Sequence, residues 1–129
     1  MIGIDKKLIT ELLDKAAENP RRRQHYDLRN TSEDGSQCML NALLPETVVP
    51  AHRHPISNEN VILLYGKTIE VLYDNTKHET TRYMLDPIAG NFGCVVPMGI
   101  WHTVEVLEPS VILETKNGKY EKDGSELWK

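Results

Sequence analysis

The stretch PAHRHPISNENVILLYG, residues 50–66, decides how the fold is read. Its second half, Glu59 to Tyr65, is short, aliphatic and closed by Gly66, as a strand should be. Counting by two puts Glu59, Val61, Leu63 and Tyr65 on one face, with Ile62 and Leu64 on the other. A strand apolar on both faces needs cover on both. Burying a carboxylate beside Val61 and Leu63 is costly without a partner. A metal ion, an arginine or a protonated histidine would serve. The first half supplies His52 and His54 at i and i+2, on one face if the segment is extended.

Outward from this stretch the strand-like pattern repeats. Strands are predicted at 37–44, 47–53, 59–65, 68–74, 79–85, 92–96, 101–107 and 110–116, separated by Pro-, Gly-, Asn- and Asp-containing turns. This spacing predicts an all-β sandwich, barrel or jelly roll. One amphipathic helix is predicted over 5–18, where Leu8, Leu12, Leu13 and Ala16 share a stripe. Asp5 is its expected N-cap, and Asn19-Pro20 its stop. Residues 20–36 read as a loop or irregular arm opening on Arg21, Arg22 and Arg23. The expected organisation is one domain: helix and arm over 1–36, barrel over 37–120, and a tail over 121–129.

The chain has 129 residues, 40% of them hydrophobic and 26% charged, and a net charge of −4. That composition excludes a disordered or collagen-like chain and a strongly basic nucleic-acid surface. No apolar run is long enough to cross a bilayer, and no secretory leader is visible, so a cytoplasmic location is expected. Cys38 and Cys94 are then expected to be reduced core residues.

A third histidine has the same oddity as Glu59. His102, Val104 and Val106 share one face, directly after a Pro97–Gly99 turn. His52, His54, Glu59 and His102 make three nitrogen donors and one oxygen donor. Such a set suits one divalent transition metal ion (Fe, Mn, Ni, Co or Zn), not calcium or magnesium. Four protein ligands leave open positions on an octahedral ion, whereas tetrahedral zinc would be closed and structural. The arginine triplet could grip a phosphate or carboxylate, or simply be a solvated run at a helix C-terminus. His25 or Tyr26 could act as acid or base if the arm covers the barrel mouth, and Glu59 is a further candidate. Trp101 is a packing residue or a pocket wall, and His78 sits at an exposed hairpin tip.

His52-x-His54, Glu59 and Gly66 keep the spacing of the first cupin motif, and Pro97-x-Gly99-x-x-His102 resembles the second. Glu46 and Val106 depart from those motifs at positions that are not ligands. More narrowly, the chain resembles the WbuC family of cupin-fold metalloproteins. That likeness is carried by Arg21-Arg22-Arg23-x-His25, Leu40 to Leu43, Pro50 to His54, Pro97 to Thr103, Leu107-Glu108-Pro109 and Glu114-x-Lys116-x-Gly118-x-Tyr120. The resemblance implies a double-stranded β-helix (jelly roll) with an N-terminal α-helix and a metal inside. It also implies a link to bacterial surface-polysaccharide (O-antigen) biosynthesis.

The expected function is therefore a metal-binding cupin acting on a sugar or nucleotide-sugar precursor, by isomerase, epimerase or oxygenase chemistry. Arg21, Arg22, Arg23 and Trp101 are its expected substrate contacts. The expected partners are a small anionic carbohydrate and a second copy of the chain, with neither nucleic acid nor membrane. The alternatives are a non-catalytic sugar-binding or regulatory cupin with a structural metal, and a metal-free jelly roll with hydrogen-bonded core histidines.

Overall fold

The structure, a computed structural model, describes residues 1–121 and 124–128. Helix α1 spans Lys6–Glu18. Asp5 caps it: the Leu8 N–H donates to Asp5 Oδ1 at 2.9 Å, filling one of the free donors of the first turn. Asn19 adopts an extended backbone and ends it, with Pro20 next. Leu12 and Ala16 are buried on the inner stripe.

Eight strands follow: β1 Arg23–Asp27, β2 Ser36–Leu43, β3 His52–Arg53, β4 Glu59–Tyr73, β5 Glu79–Leu85, β6 Gly93–Val96, β7 Trp101–Asn117 and β8 Glu126–Leu127. Four features differ from the sequence reading, the first being that the strand predicted over 47–53 is reduced to His52–Arg53. The supposed irregular arm contains β1, which pairs antiparallel with β2 from Arg23 opposite Leu43 to Asp27 opposite Met39. The predicted pairs 59–65 with 68–74, and 101–107 with 110–116, are each one long strand. In the segment read as a tail, β8 pairs with β3, and Arg53 binds Glu126 through Nε at 2.8 Å. Lys122, Asp123 and Lys129 lie outside the described residues.

The long strands explain the architecture. The first half of β4 pairs with β6 and with the second half of β7, which also pairs with β2. The second half of β4 pairs with β5 and with the first half of β7, which also pairs with β3. Each long strand thus runs from one sheet into the other, and the two sheets face each other as a jelly roll. The corner lies at Gly66, where φ is +100° and the β4–β7 register shifts repeatedly between Leu63 and Thr68. A Cβ at Gly66 would collide with Ser110 Oγ and the Pro109 carbonyl, so both backbone conformation and close approach require glycine.

Two apolar clusters lie on opposite faces of the first sheet. Leu12 and Ala16 of α1 pack on Leu40, Ala42, Leu44 and Val111. Leu43, Val61, Leu63, Leu85, Val106 and Ile112 fill the closed end of the barrel. The helix also covers Leu64, whereas Ile62 remains 40% exposed. Cys38 and Cys94 are both free thiols; burial, with the Glu70 and Glu59 charges, pushes the Cys94 thiol up to about 12.

Candidate metal centre

The four predicted donors come together from separate strands. His52 lies directly opposite His102 across the β3–β7 pair. His54 follows β3 and is tied in by its carbonyl, which accepts from the Gly99 N–H at 2.9 Å. Gly99 has φ +79°, so the tight turn before β7 is what brings His54 beside His102. Glu59 opens β4 in the facing sheet, opposite Val96 and Lys116. The ring centroid of His52 is 5.1 Å from that of His54 and 4.3 Å from that of His102.

One donor atom from each of the four residues can be chosen so that all lie within 4.8 Å of one another. Four donors each about 2.1 Å from a common ion lie at most about 4.2 Å apart, so small adjustments suffice. Among the described residues, the buried side-chain atoms without a hydrogen-bond partner include His54 Nε2, Glu59 Oε2 and His102 Nε2. Orphaned buried polar atoms are rare because each costs the full loss of hydration. These three face one another, His54 Nε2 at 2.6 Å and His102 Nε2 at 3.7 Å from Glu59 Oε2, without hydrogen-bond geometry, an arrangement that fits a cation between them. Outer contacts set the tautomers: His52 Nδ1 is 2.9 Å from the Pro50 carbonyl and His102 Nδ1 is 3.2 Å from that of Ile100. A proton on each Nδ1 leaves the Nε2 lone pair for the ion.

Electrostatics agree. Burial works against the Glu59 charge, but His102, His54 and Lys116 outweigh it and hold the carboxyl well below the usual carboxylate range. Glu59 Oε2 is 2.6 Å from His54 Nε2 and 3.6 Å from Lys116 Nζ. Burial, with the neighbouring His102, pulls His52 down to about 4, so its imidazole is neutral at pH 7, as a ligand must be. A charged Glu59 at the centre of the cluster suits a ligand better than a proton shuttle.

The sequence-predicted outer residues divide. Arg21, Arg23 and His25 line a 470 Å³ cleft along β1 and β2. Arg23 also lines a smaller inner chamber of 130 Å³ that reaches His52, Glu59 and His102. Arg22 is used elsewhere: it donates to the Ala17 carbonyl at the helix end and lies 3.6 Å from Glu46. Tyr26 packs against the helix-side core, away from the cleft. Trp101 points to the opposite face from His102, stacked under Arg53 and beside Trp128. It lines neither cavity beside the donors.

Two interior carboxyls were missed. Glu70 and Glu114 line the inner chamber. Parity counted from Glu59 puts residue 70 on the outer face; the Gly66 corner reverses it. Glu114 was legible, because Ile112, Glu114 and Lys116 alternate on one face of a strand whose Ile112 is core.

Comparison with known proteins adds three findings. A family model described as "Domain of unknown function (DUF6016)" matches residues 4–85. No curated protein matches the chain. Among solved structures, the capsular polysaccharide assembling protein CapF from Staphylococcus aureus is similar with a TM-score of 0.72 and 18% identity, over 86% of this chain and 33% of that one. Oxalate decarboxylase from Bacillus subtilis has a TM-score of 0.64 and 14% identity, over 81% of this chain and 27% of that one. Protein SO0799 from Shewanella oneidensis has a TM-score of 0.65 and 16% identity, over 81% of this chain and 72% of that one. The chain thus spans about a third of the length of CapF. At these identities the likeness shows the fold alone, and that fold is the cupin jelly roll expected from the motifs. No helix among the described residues is long and apolar enough to cross a membrane.

Proposed function

The chain belongs to the DUF6016 family, and from that premise we propose that it is a metal-dependent cupin acting on an anionic sugar or nucleotide-sugar precursor of bacterial surface polysaccharide. The convergence of one donor atom each from His52, His54, Glu59 and His102 to within 4.8 Å of one another inside the barrel carries this reading. His52, His54, Glu59 and His102 would hold the ion. When bound, a divalent transition metal supplies Lewis acidity for a sugar carbonyl or hydroxyl, or oxygen chemistry if it is iron.

The substrate class rests on the approach to the site. The outer cleft carries Arg21, Arg23 and Arg29, and Arg23 stands where it meets the inner chamber. Guanidinium groups there would take the phosphate or carboxylate of the ligand. The narrower likeness to the WbuC family and the fold likeness to CapF support a polysaccharide setting. The reading includes a homodimer: Ile62 of β4, Val95 of β6 and Phe92, just before β6, are 40%, 59% and 60% exposed. The second reading is a closed, structural metal in a sugar-binding cupin.

Metal analysis of protein purified without a histidine tag tests the core of this reading. Near one equivalent of transition metal, or uptake of one on titration, is expected. Less than about a tenth of an equivalent with no uptake would remove it. On cobalt-loaded protein, a visible spectrum that shifts on adding glucose 1-phosphate marks open ligand positions, and an unmoved spectrum favours the structural ion. Arg23→Gln should weaken that shift about tenfold.

A further inference from the structure

The inner chamber contains a second polar group beside the metal donors. Three of the four donor residues form part of its wall, and Glu70, Glu114, Asn41 and Arg23 form much of the rest. Its 130 Å³ holds about four water-sized groups. That is room for one end of a sugar-sized ligand, the remainder lying in the 470 Å³ outer cleft. Arg23 and Asn41 line both spaces, so the two adjoin at these side chains.

Glu70 is 4% exposed, yet no hydrogen bond or ion pair joins it to another described residue. Glu114 has only a long contact, 3.4 Å from Asn41 Nδ2. A buried carboxyl facing a cavity with nothing to bond is costly. A hydroxyl removes that cost, because hydroxyl and protonated carboxyl each donate and accept. An anionic group would not: past the ion that the donors would hold, it would sit against Glu70 and Glu114, with Arg23 the one cationic side chain on the chamber wall.

We propose that the inner chamber binds the neutral, hydroxyl-bearing end of the ligand, with Glu70 and Glu114 as the groups that hold its hydroxyls. The inference rests on reading the four donors as an open metal site, and it divides the ligand: hydroxyls inside, anionic group in the outer cleft. Burial supports it. Burial first, then the Glu59 and Glu114 charges, push Glu70 well above the usual carboxylate range. Burial and Glu59 likewise push Glu114 up to about 7. Both are poor hosts for an anion and good donors to a hydroxyl.

Protein loaded with one equivalent of cobalt(II) is titrated with hydroxyacetone and with pyruvate. These three-carbon ketones differ in a terminal CH2OH against a carboxylate. Carboxylates are the better oxygen donors to the free ion, so a preference for hydroxyacetone must come from the chamber. Hydroxyacetone is expected to perturb the cobalt spectrum at about one tenth of the concentration pyruvate needs. Glu70→Leu should weaken hydroxyacetone about tenfold and leave cobalt uptake unchanged. Glu70→Ala replaces it if the leucine variant does not fold. Equal or tighter pyruvate binding, no response to either ketone, or an unchanged variant overturns the proposal. Failure of the unaltered protein to take up cobalt is a separate result and removes the metal reading itself.

Discussion

The two faces of β2 show two different ways of burying a strand. Leu40 and Ala42 point toward α1 and are fully buried among apolar side chains. Their neighbours Met39 and Asn41 point the other way and line cavities. Neither α1 nor β2 contributes any of the buried polar side chains. On the barrel side the apolar cluster fills only the closed end, and Glu59, Glu70 and His102 are each 4% exposed or less. Burial of ionisable groups costs stability, whereas burial of leucine supplies it. The helix-side face therefore contributes stability alone, whereas the barrel side combines an apolar closed end with the cost of holding a site.

The largest expected effect comes from breaking the costly face. His102→Ala should lower transition-metal affinity by more than about a hundredfold, since changes even to outer contacts of ligands cost tenfold or more. Metal-free stability should change far less, and equilibrium dialysis with denaturant melts separates the two quantities. Breaking the dry face should do the reverse. Leu40→Ala should cost about 2–5 kcal/mol in urea unfolding, by the same amount with and without metal, and leave metal affinity intact. A cost confined to the metal-loaded protein would mean that the two faces are coupled.

A pH test sharpens the same contrast. Glu114 is raised from 4.5 to about 7 by burial first and by Glu59. An acid raised on folding contributes stability that is complete below its unfolded value and is lost as pH rises through the folded one. Metal-free protein should therefore lose on the order of 3 kcal/mol from this group between about pH 4.5 and 7. Glu114→Gln should flatten that part of the melting profile, and an unchanged profile would sink the assignment. The smallest effect is expected at the helix start, where Asp5→Ala should cost about 1 kcal/mol without touching metal affinity.

Much of this was readable from residue order. The helix, its cap and stop, and the inward set His102, Val104 and Val106 follow from periodicity within a single segment. Glu59 and His102 stood out because polar residues at apolar parity require a partner, and His52 and His54 because their i, i+2 spacing puts two imidazoles on one face. Other parts were not readable. β1 has little apolar alternation, and it forms because β2 offers an edge and Tyr26 a place beside α1. Arg21, Arg22 and Arg23 look equivalent in a row. Only Arg23 reaches both cavities, since Arg22 turns back at φ +59° to the helix end.

The sequence by itself determined most of the segments that extend, the one that coils, and four side chains whose types and spacing suit a metal. Those are properties of spacing along one chain segment. Only the tertiary structure decided that Glu70 points inward, that Trp101 belongs to an outer aromatic stack, and that one arginine of three stands between cleft and chamber. The physical reason is the corner at Gly66 and the pairing of distant strands. A register shift inverts every side chain beyond it, and parity counted through such a shift loses its meaning.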